Sequence, residues 1–204
     1  MWLLQAPHAF SLLEKLKAVD YNLFEAINGQ WHNSFFDVFF PLTREAYTWI
    51  PFYFFLLIFA VMNFGIRGWY WAFFLICTAG LSDFISSTLI KEFVFRLRPC
   101  HDPLLIDKIR FLVSYCPTSS SFTSSHAVNH FAAAMYIFTT FKKAISLWWG
   151  VIFIWAAVIS YAQVYVGVHF PADVICGAIV GLMVGYLPAY IFNKKIGLTE
   201  PVNR

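Results

Sequence analysis

Residues 48–64, TWIPFYFFLLIFAVMNF, decide the fold, because seventeen consecutive positions carry no charged side chain. A helix over this stretch, begun near Tyr47, is long enough for about 30 Å of hydrocarbon. The chain as a whole agrees: of 204 residues 60% are hydrophobic, 21% aromatic and only 12% charged. Its mean hydropathy is +0.65, too apolar for a soluble domain. Working outward, Gly65 and Arg67 turn the chain, and a second apolar segment runs from Gly68 to Lys91, with its helical continuation toward Arg98 ending at Pro99. Three further apolar segments, at 124–141, 145–166 and 171–193, are separated by the Lys142-Lys143 turn and by a bend from Gly167 to Pro171. Upstream, residues 8–28 place Phe10, Leu13, Leu16, Leu23 and Phe24 at helical spacing among charges. That pattern predicts an amphipathic helix lying in the interface without spanning it.

The expected architecture is therefore all-α, a polytopic transmembrane bundle of about five spanning helices plus an N-terminal amphipathic interfacial helix. It forms a single domain, 1–204, with an interfacial segment at 1–45, a core at 46–194 and one long polar loop at 100–123. No repeat or linker interrupts it. The net charge is only +3 and no run of five or six basic residues occurs, which argues against a nucleic-acid partner. No protein partner is evident. The apolar start Met1–Leu4 is short and is followed by Glu14, Lys15, Lys17 and Asp20, so a cleavable signal peptide is not expected.

With helices alternating across the bilayer, three polar pieces fall on one side: Lys91 to Pro99, Ser124 with His126, and His169 to Asp173. Lys91 and Arg98 are seven residues apart, about 20° from alignment on one helix, so both can face one anion. The plainer reading is a basic helix end that snorkels toward headgroups. In SFTSSHAVNH, Ser124 can cap a helix whose first free N–H groups point outward, a phosphate-binding arrangement, with His126 in its first turn. A capping serine and an interfacial histidine without function explain the stretch as well. In YAQVYVGVHFPADVICG, Pro171 suits a first helical turn and Asp173 follows His169 by four residues, so the carboxylate can orient the imidazole. An oriented neutral histidine can attack phosphorus while a second histidine protonates the leaving oxygen. Against this stands an Asp that only serves the helix dipole.

Together these pieces resemble the type 2 phosphatidic acid phosphatase family, whose motifs are K-x6-RP, PSGH and SR-x5-H-x3-D. The first is intact as KEFVFRLRP, Lys91 to Pro99. The second stands as TSSH, Thr123 to His126, with Ser125 in the Gly position. The third stands as AQVYVGVHFPAD, Ala162 to Asp173, with Ala162 and Gln163 in place of Ser and Arg. The resemblance implies a lipid phosphatase that needs no metal or cofactor, acting on a polyprenyl diphosphate, a phosphatidyl lipid phosphate or a lipid A phosphate. His169 would be the nucleophile, Asp173 its orienting carboxylate and His126 the general acid, with Lys91, Arg98, Ser124, Ser125 and Gln163 binding phosphate. Gln163 lacks the charge and planar fork of arginine. Either Arg96, Lys108 or Arg110 compensates, or the site is impaired and the chain is a lipid-phosphate binder or transporter.

Asp83, Ser87 and Lys91 share a helix face; Asp83 is read as satisfied by another helix, and Asn129 and His130 as packing residues. His101, Asp102 and Lys108 lie in the site-side loop, as headgroup contacts or solvated charges. Arg67, Lys142, Lys143, Lys194 and Lys195 lie opposite the site, which places that side in the cytoplasm and the site outside. The reading leans toward a bacterial inner membrane with the site facing the periplasm. Cys77 and Cys176 lie inside spans while Cys100 and Cys116 bracket the loop, so a Cys100–Cys116 disulfide is expected in an oxidising compartment.

Overall fold

The structure is a computed structural model that describes residues 6–198, and side chains there other than those of residues 6–10, 143 and 147. Met1–Leu4, Arg204 and the side chains of Phe10 and Lys143 thus lie outside the described residues. Helix is the regular structure of the described residues, which contain no strand. The interfacial segment forms α1, Ala6–Glu25, one π turn at Ala26–Gln30, and the short α2, Phe36–Thr43. Leu13 and Leu16 are exposed, whereas Phe24 is buried and packs its ring 5.4 Å from Phe170. One face of α1 is thus left for lipid and the other is docked on the core.

The first span is α3, Ile50–Phe64, with Pro51 in its first turn. It stops at Gly65, whose φ of +56° requires glycine. The second begins as α4, Ile66–Asp83, continues through π turns at Phe84–Ile90 and closes with the single turn α5, Lys91–Phe93. The expected helix toward Arg98 is not formed. Val94 is already extended, at φ −125° and ψ 103°, and Arg98 before Pro99 has ψ 154°, as the proline ring demands of its predecessor. The freed backbone pairs with the loop instead: Ser121 N–H donates to the Arg96 carbonyl at 2.8 Å, and the Ser120 hydroxyl donates to the Val94 carbonyl at 2.7 Å. Lys91 and Arg98 therefore meet by a turn of chain rather than along one helix face.

Three helices follow: α6 Ser125–Ala144, α7 Ile152–Tyr165 and α8 Pro171–Lys195. Four helical stretches, Ala46–Phe64, Ile66–Phe93, Trp148–Tyr165 and Pro171–Lys195, are long and apolar enough to cross a membrane. The remaining expected span is α6, with Asn129, His130, Thr139 and Thr140 along it. It can be more polar because it is the central helix, with Ala127, Ala132, Tyr136 and Ile137 buried against protein. Gly177, Gly181 and Gly185 of α8 face it so closely that a Cβ at any of them would overlap backbone of Ser124, Val128 or Ala132. This approach sets His126 on α6 beside the start of α8. At the far end Trp71 stacks on Phe141 at 4.8 Å and donates its indole N–H to Thr140 at 2.8 Å, closing an aromatic core.

Candidate active site

Asp173 lies in the first turn of α8 and is wholly buried. Its Oδ2 accepts from the Phe170 N–H at 3.0 Å and from the Ser121 hydroxyl at 2.5 Å, and its Oδ1 accepts from Arg96 at 2.8 Å. Because Asp173 helps cap the helix that follows the bend, its position relative to His169 is fixed by backbone as well as side chain. At the bend Gly167 has φ +87° and no room for a Cβ beside Ile109 and Arg110. The His169 N–H is tied to the Gln163 carbonyl at 3.2 Å.

His169 is only 3% exposed. Arg98 Nη1 lies 3.1 Å from its Nε2. Guanidinium has donors only, so Nε2 must be the lone-pair nitrogen and Nδ1 carries the proton. That proton points toward Asp173 Oδ2, 3.7 Å away, with the Ser121 hydroxyl oxygen 3.4 Å from Nδ1. Burial foremost pulls the His169 pKa from its ordinary 6.5 down to about 4, although Asp173 pulls the other way. The result is a neutral imidazole with one tautomer and an outward lone pair, the form a nucleophile needs.

Arg98 is held by the loop: Nε donates to the Ser119 carbonyl at 2.9 Å, Nη2 to the Ser120 carbonyl at 3.3 Å and Nη1 to the Val168 carbonyl at 3.1 Å. None of these partners is a carboxylate. Burial lowers its pKa to about 10, still a cation at neutral pH. Ser124 is the N-cap of α6 and accepts from the Ala127 N–H at 3.4 Å, while its own N–H donates to the Asp173 carbonyl at 3.1 Å. Ser125 lies 3.0 Å from Ser87. The His126 ring lies parallel to His130 with centroids 6.2 Å apart, and its environment includes the charges of Lys91 and Arg44. Lys91 makes no hydrogen bond or ion pair among the described residues. The structure thus brings His126, His169, Asp173, Arg98, Ser124 and Lys91 to one end of the bundle.

Gln163 is wholly buried, and its amide nitrogen and oxygen both lack a hydrogen-bond partner among the described residues. The three cations expected to compensate for it are committed elsewhere. Arg96 bridges Asp173 and Asp20, at 2.8 and 2.5 Å, and lies over the Phe170 ring. Lys108 faces Glu25 at 3.7 Å, and Arg110 pairs with Asp37 at 2.6 Å. Each is neutralised by a carboxylate of the N-terminal segment, so none is spare for phosphate.

Sequence reasoning missed Asp20 and Ser121. Asp20 resembles one more charge of an amphipathic helix, yet it is buried and also accepts from the Ala172 N–H at 2.8 Å. Its only sequence signal is an acidic residue at the edge of an apolar face. Asp102 receives the Tyr21 hydroxyl, so it anchors α1 rather than meeting a headgroup. Asp83 accepts from Ser87 at 3.0 Å and from Asn129 at 3.2 Å, a bond to a neighbouring helix. His130 packs edge-on against Trp155 at 5.0 Å. Cys100 and Cys116 are disulfide-bonded, with Cα atoms 6.2 Å apart, and the bridge closes the loop that holds Arg98.

The PAP2 superfamily profile matches residues 68–196. A lipid A 4'-phosphatase of Porphyromonas gingivalis is 32% identical over 191 residues, covering 90% of this chain and 78% of that protein. An undecaprenyl-diphosphatase of Sulfolobus acidocaldarius is 29% identical over 193 residues, covering 94% and 81%. Among solved structures, the crystal structure of Aquifex aeolicus LpxE superposes with a TM-score of 0.63 at 26% identity, covering 84% of this chain and 95% of that one.

Proposed function

The chain belongs to the PAP2 superfamily, and we propose that it is an integral membrane lipid phosphatase working through a phosphohistidine on His169. One observation carries the reading: Nε2 of a buried, neutral His169 is presented as a lone pair beside Arg98, with Nδ1–H directed to Asp173. When a phosphoryl group enters, Arg98 can turn from Nε2 to a phosphoryl oxygen, freeing the lone pair. Nε2 then forms the bond to phosphorus as the bond to the lipid oxygen breaks, and His126 gives that oxygen a proton. Water next attacks the phosphohistidine, returning a proton to His126 and releasing inorganic phosphate. Lys91, Arg98 and the N-terminus of α6 at Ser124 and Ser125 stabilise the equatorial oxygens.

A cavity of about 510 Å³ opens laterally between α3, α4, α6 and α7. It is lined by Phe54, Leu57, Leu75 and Ala133 and reaches Asn129 and His130, one turn from His126. An apolar chain lying there would leave a phosphate at the histidines, which supports a substrate drawn from the bilayer. Within that class the reading favours the 4'-phosphate of lipid A over a polyprenyl diphosphate, on its likeness to the P. gingivalis enzyme. The site is read as facing the periplasm, with Arg67, Lys142, Lys194 and Lys195 on the cytoplasmic side.

The test is phosphate release by detergent-solubilised protein from lipid A, undecaprenyl diphosphate and phosphatidylglycerol phosphate, with His169→Ala beside it. Release confined to lipid A supports the whole reading, and preference for another of these lipids corrects the substrate alone. Binding without release in the wild type would instead favour a lipid-phosphate carrier. Turnover is expected to survive EDTA, since the donors here are imidazole, ammonium, guanidinium and hydroxyl groups, and the one carboxylate is already taken.

A further inference from the structure

We propose that Arg44, at the end of the N-terminal segment, is a phosphate-binding residue of this site and supplies the positive charge that position 163 lacks. The inference rests on the phosphatase reading above.

Arg44 directly follows α2, Phe36–Thr43. Two sets of contacts fix that helix end. Phe40, one turn earlier, packs on Tyr161 and Tyr165 of α7 at 5.1 and 4.6 Å, on the face of α7 turned away from Gln163. On the other flank, Trp49 donates its indole N–H to the Thr43 carbonyl at 2.7 Å and packs against Trp155 at 5.8 Å. Trp155 lies against His130, and His130 against His126. The carbonyl next to Arg44 is thus linked by consecutive ring contacts to the general acid.

The Arg44 side chain is in an unusual state for an arginine. Its Nε is buried with no hydrogen-bond partner, and the guanidinium makes no hydrogen bond or ion pair among the described residues. The plainer explanation, a basic residue favouring the negative end of a short helix, does not account for an Nε sealed without a partner. Its charge bears on Arg98 and on His126. Lys91 is a second such cation at His126. Arg44, Arg98 and Lys91 therefore converge with no carboxylate bonded to any of them, whereas Arg96, Lys108 and Arg110 each have one. Carboxylates act on them only without bonding, Glu45 on Arg44, Asp173 on Arg98, and Asp83 and Asp173 on Lys91, so like charges held together in a partly buried place still repel and are desolvated. A phosphate dianion offsets both costs, and the guanidinium fork matches its oxygens.

The same geometry accounts for Gln163. An arginine there would add a fourth cation to a site already furnished from α2, while an uncharged amide does not. The charge has moved from α7 to the chain that packs across it.

The experiment compares Arg44→Gln, Arg44→Lys and Arg44→Gln/Gln163→Arg with wild type and His169→Ala. Each is assayed for phosphate release, for inhibition by orthovanadate and for melting temperature in the same detergent. Arg44→Gln is expected to raise the vanadate inhibition constant and KM on the order of 10- to 100-fold, the worth of a charged hydrogen bond. Arg44→Lys, which keeps the charge, should recover part of the loss, and adding Gln163→Arg should restore vanadate affinity by returning a fork from α7. Vanadate inhibition and kcat/KM within threefold of wild type in Arg44→Gln, with His169→Ala inactive, would overturn the role of Arg44 and leave the phosphatase reading standing. An active His169→Ala would overturn both. If Arg44→Gln does not fold, Arg44→Lys decides: a melting temperature lowered with vanadate inhibition unchanged means a structural residue only.

Discussion

The two walls of the site differ in how their polar atoms are spent. On the α8 side every group is paired: Asp173 accepts from Ser121, Arg96 and Phe170, and Arg98 donates to Ser119, Ser120, Val168 and His169. Away from it, Gln163 of α7 has neither amide atom bonded, and Arg44, just past α2, has a sealed, unbonded Nε. A buried polar group without a partner costs roughly 1–3 kcal/mol, so the second wall is built at a loss of stability. On the phosphohistidine proposal the first wall positions the nucleophile and must not move, because misplacement of reacting atoms by about 1 Å can cost on the order of 10²-fold in rate. The second is suited to receiving oxygens that the protein itself does not provide.

The contrast breaks most sharply at His169. His169→Ala should lower phosphate release by at least ~10³-fold, since the covalent route is lost and only binding and oxyanion stabilisation remain. Activity near wild type would sink the mechanism. Next, Arg98→Ala should cost about 10²–10³-fold in kcat, the usual loss for one preorganised oxyanion donor. A drop confined to KM would make Arg98 a ground-state binder.

A third effect is pH-dependent and belongs to the paired wall. The folded His169 pKa is held down to about 4 against an unfolded value near 6.5, so between these values the unfolded chain binds the extra proton. Stability from this group is complete above about pH 6.5 and is lost as pH falls toward 4, by up to about 3 kcal/mol. His169→Gln should flatten the melting-temperature profile in that window; an unchanged slope would assign it to other groups. Smaller still, Asp20→Asn should slow turnover roughly tenfold and lower the melting temperature, because Arg96 then loses one of two carboxylates and Asp173 loses part of its anchor. An effect on stability with kcat untouched would separate anchoring from catalysis.

The smallest effect is expected on the other wall. Gln163→Leu removes two unbonded polar atoms from a buried place and should raise stability by about 1–2 kcal/mol with turnover changed only a few-fold. A loss of turnover near that of Arg98→Ala would show that Gln163 itself binds the phosphoryl group.

Much of this was legible along the chain. Uninterrupted apolar runs such as 48–64 leave a helix in lipid as the only way to satisfy their backbone, so the spans could be read one by one. His126, His169, Asp173, Lys91 and Arg98 stand at helix ends and motif spacings that are local properties, as are the loop-flanking Cys100 and Cys116. What tertiary structure alone decided are pairings across long separations. Arg96 meets Asp20 and Asp173 from 76 and 77 residues away, Ser121 meets Asp173 from 52, and α2 lies on α7 through Phe40 and Tyr165. The turn at Val94 also escaped, because a helix end is chosen by which partner takes its carbonyls, here Ser120 in a distant loop. A charge in an amphipathic segment looks the same whether it faces water or a buried carboxylate, since its energy is set by neighbours that only packing supplies. For that reason Asp20 looks like a surface charge in sequence and is a buried partner of Arg96 in three dimensions.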